Sequence, residues 1–303
     1  MAASSTCLTF GGLWVDYYTA QGSRSRNEDW VGGYMPADPR WQTAKGGCFV
    51  VADGMGGHRG GAIASELAGK TTLSHYFQSA LPDSAGALAN ALWTANQRVH
   101  EGATRSPDLS GMASTVVAAV VRGADAVVAH IGDCRAYLVR RNTAFSLTRD
   151  HTWVREMVDR RVLTPTEAAT HPYRHVVTRY VGMGEEARAN VCRLRLEAGD
   201  ALLLCSDGIS DRVPGRELGL LVDGTSAHNP ASALVRRATA LGSTDNASAI
   251  VVRYQPWMAG QQRPARAGQP ATMPEGLIPA LAFGGVLVTG AAFLGLLLAT
   301  LLP

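Results

Sequence analysis

The amino-acid sequence predicts an α+β fold of mainly antiparallel sheets with helices packed outside them, followed by one apolar span near the C-terminus. Three observations lead there. Short β-branched or aliphatic runs come in clusters, two helical periodicities follow one another with no strand between them, and the last apolar run carries no charge.

The strand candidates, in order, are Phe49 to Ala52, Thr115 to Val121, Ala126 to Ile131, Ala201 to Cys205 and Ala249 to Val252, each near Gly, Asp or Asn punctuation. One helical stripe runs through Ile63, Leu67, Thr71 and Phe77, and the next through Leu88, Leu92, Ala95 and Val99. Strict alternation of strand and helix would favour a parallel sheet, whereas clustered strands separated by helix pairs favour antiparallel ones. Residues 152–172 read as an amphipathic helix pair. Over 255–276 the composition shifts to Pro, Gly, Gln and Arg, with Pro256, Pro264, Pro270 and Pro274 opposing regular structure, so this stretch reads as a linker. Residues 277–302 are uncharged and exceed the roughly 20 apolar residues that span a hydrocarbon core. The expected organisation is one domain over 1–254, the linker, and a single transmembrane helix over 277–302.

Hydrophobic residues make up 46% and charged residues 17%, which places the chain in the ordinary globular class and excludes both disorder and a polytopic membrane protein. A net charge of +3 from scattered basic residues offers no stripe for a phosphate backbone, so no nucleic-acid partner is expected. Five cysteines, Cys7, Cys48, Cys134, Cys192 and Cys205, show no C-x-x-C spacing and point to a reducing compartment. The first residues lack a basic stretch followed by a long apolar one, so they do not read as a secretory signal.

Acidic residues recur where an apolar strand stops. Asp53 follows Cys48 to Ala52, Asp133 follows Val127 to Gly132, Asp207 follows Ala201 to Ser206, and Asp245 precedes Ser248 to Val252. Taken singly, each reads equally well as a turn residue or a helix cap. As a set they imply a cation, because an ionised carboxylate at the edge of a core is costly without a compensating charge. Oxygen ligands select Mg²⁺ or Mn²⁺ over zinc, and no histidine or cysteine spacing supports a zinc site. Gly54, Gly56 and Gly57 after Asp53 leave a backbone carbonyl free to approach an ion.

Seven motifs carry a family resemblance: Arg24-x-x-Asn27-Glu28-Asp29, Asp53-Gly54-Met55-Gly56-Gly57-His58, Met112-Ala113-Ser114-Thr115, Gly132-Asp133-Cys134-Arg135-Ala136-Tyr137, Thr148-x-Asp150-His151, Ser206-Asp207-Gly208 and Asp245-Asn246. In this order they resemble the motifs of the PPM, or type 2C, metal-dependent protein phosphatases, over roughly Tyr17 to Tyr254. The resemblance implies a four-layer α-β-β-α sandwich of two mainly antiparallel sheets flanked by helix pairs, with a flap at 152–172. It implies hydrolysis of phosphoserine and phosphothreonine by direct attack of a water bridging two Mn²⁺ or Mg²⁺ ions. By it Asp53 bridges the two ions, Asp207 and Asp245 complete the first site, and Glu28 with the Gly54 carbonyl serves the second. Asp133 with Asp207 matches a third, weaker metal, Asp29 orients water, and Arg24 grips phosphate.

The chain departs from the family pattern at Met55, where several members carry a histidine proposed as general acid. Cys134 and Ala113-Ser114 also replace the usual residues, and His58 is the nearby alternative acid. Neither Cys48 nor Cys205 begins a phosphate-cradling loop, and both read as buried strand residues. His151, His171 and His175 read as structural. The alternative from another class is a catalytically silent phosphoprotein-binding module at the membrane, and a third reading is a phosphatase for small phosphoesters. The expected partners are phosphoproteins at the membrane and an opposing Ser/Thr kinase. Arg253, Arg263 and Arg266 precede the apolar run, so the domain is expected on the cytoplasmic side of a single-pass protein.

Overall fold

A computed structural model describes residues 6–10, 12–56, 60–224, 229–256 and 285–289. Strands β1 (Thr6–Phe10), β2 (Leu13–Ala20) and β3 (Asp29–Pro36) precede a short helix α1 (Pro39–Lys45) and strand β4 (Gly47–Met55). Helices α2 (Gly60–Gln78) and α3 (Ser84–Arg105) follow directly, then strands β5 (Ala113–Arg122), β6 (Asp125–Ile131), β7 (Arg135–Arg140) and β8 (Thr143–Ser146). Two short helices, α4 (Trp153–Asp159) and α5 (Pro165–Thr170), lead to β9 (Asn190–Arg195) and β10 (Ala201–Cys205). Helices α6 (Asp207–Ser210), α7 (Gly215–Asp223) and α8 (Pro230–Ala240) precede β11 (Ala247–Tyr254) and β12 (Gly285–Thr289).

The strands form two sheets, β1-β2-β11-β10-β7-β8 and β12-β3-β4-β5-β6-β9, with every pairing antiparallel. The expected layering is present because the central strands are apolar on both faces. Along β4, Cys48, Val50 and Ala52 pack against α2 and α3, while Phe49 and Val51 turn toward the other sheet. Along β10, Leu202 and Leu204 meet that inter-sheet layer, while Leu203 and Cys205 pack against α7 and α8. Burial on both sides is what makes these strands read as unbroken apolar runs without a period of two.

The second helical stripe is seated as expected, with Leu88, Leu92, Ala95 and Val99 fully buried. The first is seated in part. Thr71 and Phe77 are buried and Leu67 packs half-buried against the core, whereas Ile63 is exposed and Gly61, Ala64, Ala68, Gly69 and Thr72 complete the buried face of α2. The cause is Trp30 on β3, whose indole lies so close that a Cβ on Gly69 would come within 2.0 Å of it. Small residues therefore face the sheet, against the usual association of bulk with burial.

The segment 152–172 holds α4 and α5, and α5 begins with a capping box between Thr164 and Glu167. It is tied down beyond its expected end at 172. Trp153 N donates to Val176 O at 2.8 Å, and Ser114 and Val181 exchange two backbone bonds of 3.0 and 2.7 Å.

Of the expected linker and membrane span, only 255–256 and 285–289 fall among the described residues. Gly285–Thr289 is extended, pairing antiparallel with β3 (Val286 opposite Met35, Val288 opposite Gly33), so these five residues are not helical. Val286, Val288 and Thr289 are β-branched, and β3 otherwise presents an open edge there. Among the described residues no helix is long and apolar enough to cross a membrane.

Candidate metal centre

Antiparallel order brings the ends of β2, β4, β6 and β10 to the same rim as the starts of β3, β7 and β11. The acids that the sequence places at strand ends therefore converge. Asp29 stands directly opposite Asp53 in the β3–β4 register, and Asp53 is opposite Thr115 of β5. Asp133 leaves β6 and Asp207 opens α6 just past β10.

Electrostatics confirm the convergence. Burial pushes the Asp53 carboxyl well above its ordinary value, and the charges of Asp29, Asp207, Asp133 and Asp245 push it further. Asp207 is raised in the same way by burial and then by Asp133, Asp211, Asp245 and Asp29. Burial lifts Asp29 to about 6 against the opposing bonds of Ser248 and Ser206, whose Oγ donates to Asp29 Oδ2 at 2.8 Å. Asp133 also rises to about 6, chiefly by burial and by Asp150 and Asp211, with Arg135 opposing. Glu28 is raised by burial.

The residues fit divalent cations. Asp29 Oδ1 and Asp207 Oδ1 are buried and have no hydrogen-bond partner among the described residues. Leaving such oxygens charged and bare costs several kcal/mol each, on the order expected for an uncompensated buried ion. Gly54 and Gly61 form a cradle, since a Cβ on Gly61 would lie 2.9 Å from both Glu28 Oε2 and the Gly54 carbonyl oxygen. The Glu28 carboxylate and that carbonyl thus share one space, and every donor in the set is a hard oxygen.

Two expected residues sit differently. Arg24 Nη2 donates to Asp245 Oδ2 at 2.6 Å, so the residue expected to hold phosphate is paired with one expected to hold metal. Asp245 Oδ1 accepts from Asn246 N at 2.8 Å, and both residues of the ion pair are more than a third exposed at 59% and 38%. Asn246 locks the rim. Its Nδ2 donates to Gln21 O and Arg26 O, and its Oδ1 accepts from Glu28 N, all at 2.8 Å.

Met55 ends β4, while His58 lies outside the described residues. Cys48, Cys134 and Cys205 are buried, and none of the three is placed as a nucleophile. Burial pushes the Cys205 thiol up to about 12 and Cys48 higher still. Cys134 is buried with its Sγ 3.1 Å from Thr115 Oγ1.

Sequence reading missed one grouping. His175, Asp207 and Asp211 bring ligand atoms within 4.8 Å of one another, with His175 reaching in from the segment after α5. The readable signal was the spacing of Asp207 and Asp211, one helical turn apart. Arg135 spans the same region, held by both oxygens of Asp150 (2.9 and 2.6 Å) and by Asp211 Oδ1 at 3.1 Å. That accounts for Asp150 in its motif.

A family model described as protein phosphatase 2C matches residues 26–243. Protein phosphatase PhpP of Streptococcus pneumoniae is 32% identical over 234 residues, which is 76% of this chain and 92% of that protein. The catalytic domain of the serine/threonine phosphatase PstP, solved in complex with two manganese ions, superposes with a TM-score of 0.67 at 30% identity, over 80% of this chain and 97% of that one. PppA of Pseudomonas aeruginosa, described as a key regulatory component of its type VI secretion system, superposes with a TM-score of 0.67 at 32% identity, over 82% and 99% of the two chains.

Proposed function

The chain belongs to the protein phosphatase 2C family and is a metal-dependent serine/threonine protein phosphatase, and on that premise we propose how its residues divide the work. Asp53 would hold both cations, with Asp207 and Asp245 serving one and Glu28 with the Gly54 carbonyl serving the other. Asp133 would join Asp207 in holding a third, weaker one. Cations of this kind acidify water near neutral pH and offset the charge gathered at phosphorus during in-line displacement.

The remaining tasks fall to the protein's own groups. Asp29, steered by the Ser206 hydroxyl, would orient the attacking water. Arg24, which donates to Asp245, would turn its guanidinium fork to two phosphate oxygens. The observation that carries this division is the pair of buried, partnerless oxygens on Asp29 and Asp207. The test is hydrolysis of a phosphothreonine peptide during Mn²⁺ titration, with activity expected to vanish in chelator and return with Mn²⁺. Full activity in chelator contradicts the division.

The substrates we propose are phosphoproteins at a membrane, phosphorylated by an opposing Ser/Thr kinase. The support is the uncharged run 277–302 after a Pro-rich stretch, with Arg253, Arg263 and Arg266 before it favouring a cytoplasmic domain. Strand β12 competes with this reading, because residues 285–289 cannot pair with β3 and lie in a bilayer at once. Fractionation decides between them. Anchoring puts the full chain in the membrane pellet and a truncation after Tyr254 in the supernatant, and a full chain left in the supernatant removes the anchor.

A further inference from the structure

Between β6 and β7 the chain turns through Gly132, Asp133 and Cys134, and a residue nineteen positions later closes the turn. His151 N donates to Gly132 O at 3.0 Å, and Gly132 N donates to His151 Nδ1, also at 3.0 Å. One residue therefore satisfies both backbone groups of Gly132, the first through its own backbone and the second through its ring. The turn has no freedom on its other side. Gly132 has φ +105°, and a Cβ there would lie 2.3 Å from the Thr115 side chain.

The ring is held from every direction. It stacks on His130 with centroids 4.7 Å apart and planes 10° from parallel, and His130 Nε2 bonds Arg149 O at 2.8 Å. Because Nδ1 accepts from Gly132, the proton of the neutral ring sits on Nε2, which faces Asn190. Arg179 Nη1, 3.3 Å from that nitrogen, donates instead to Asn190 Oδ1 and Arg188 O, each at 3.2 Å. Burial above all, then His130 and Arg179, drives the ring's pKa down to about 3, so it stays neutral and keeps Nδ1 available as an acceptor. Behind it, Thr178 N donates to His151 O at 2.8 Å.

We infer that His151 is a positioning residue for the metal centre: its ring nitrogen fixes the Gly132 peptide and so aims the Asp133 carboxylate toward Asp207. The inference rests on the reading of Asp133 as a cation ligand. Nothing in the ring touches the acids themselves, and its effect passes through a single peptide group.

Two substitutions separate this role from mere packing. Asparagine places its Oδ1 where Nδ1 stands, whereas glutamine places its acceptor near Nε2, and both lose the stack on His130. In the full chain, His151→Gln lowers the affinity of the weakest Mn²⁺ site by about tenfold, the scale found when a ligand's supporting partner is removed, while His151→Asn stays close to wild type. Calorimetric Mn²⁺ titration reads this without turnover. Asp133→Ala is the control. If it too leaves Mn²⁺ binding unchanged, the assignment of Asp133 fails. If it abolishes the weak site while His151→Gln binds as wild type, or if His151→Asn loses as much as His151→Gln, the positioning role fails. Should a variant not fold, the wild-type protein answers by NMR with labelled histidine. An unprotonated Nδ1 and a Gly132 amide slow to exchange support the role, and a proton on Nδ1 overturns it.

Discussion

At one end of β10 stands Asp200 and just past the other stands Asp207, and the fold treats the two in opposite ways. Asp200 is only 2% exposed, but Arg140 donates to its two oxygens at 2.8 and 2.6 Å and Glu197 N adds a bond of 2.7 Å. Burial pushes its pKa up, yet these bonds outweigh burial and the carboxyl ends below its ordinary value. Asp207 is half-buried with other acids around it, and desolvation together with their charges leaves its carboxyl far above. Arg140 closes the same strand, β7, that opens beside the acids with Arg135, and Arg135 is already held by Asp150 and Asp211. The lesson is one of location. At Asp200 the chain supplies the counter-charge, and at Asp207 it supplies none and leaves room for a charge from solution.

The largest effect that would break this contrast comes from Asp53→Asn. Turnover should fall by more than about a hundredfold, beyond the usual range for residues that merely support a ligand. The melting temperature of the metal-free protein should not fall, because the amide removes a charge that burial disfavours. A drop in melting temperature with turnover intact would reverse the assignment.

A smaller effect concerns pH. Asp29 and Asp133 reach about 6 in the folded, metal-free protein, above their ordinary 3.8. The folded state then holds protons that the unfolded chain has released, so this stability is full below the unfolded value and is lost as pH rises through about 6. Mn²⁺ displaces those protons. Its stabilising effect in thermal melts should therefore be slight at pH 5 and grow toward pH 8, and a shift that shrinks over that range would contradict the electrostatics. The smallest effect is expected from Arg24→Ala. KM for a phosphopeptide should rise about tenfold through loss of a charge-assisted contact, while Mn²⁺ affinity holds or improves because Asp245 loses a competitor. Parallel losses in both would place Arg24 among the residues that organise the metal sites.

The acids were legible in the sequence because each violates the pattern around it: Asp53, Asp133 and Asp207 interrupt apolar runs that have no reason to end in charge. Their partners were less so. Arg24 lies more than two hundred positions from Asp245, and nothing local announces the pair. Only part of the α2 face is legible, because a single indole, Trp30, takes small residues at the contact while Ile63 stays exposed. Strands β2 and β3 are hard to read because Asp16, Tyr18 and the paired Gly32 and Gly33 dilute the apolar signal. His151 reads as structural from the sequence for a related reason: a ring nitrogen that serves one backbone amide leaves no trace in spacing or composition.

The two ends of β10 also supply the most direct test. Calorimetric Mn²⁺ titration of the full chain should show Asp207→Asn losing high-affinity binding, with Asp200→Asn binding as many ions as wild type at the same affinity. Unchanged Mn²⁺ binding in Asp207→Asn, or loss of binding in Asp200→Asn, would contradict a metal centre at this rim.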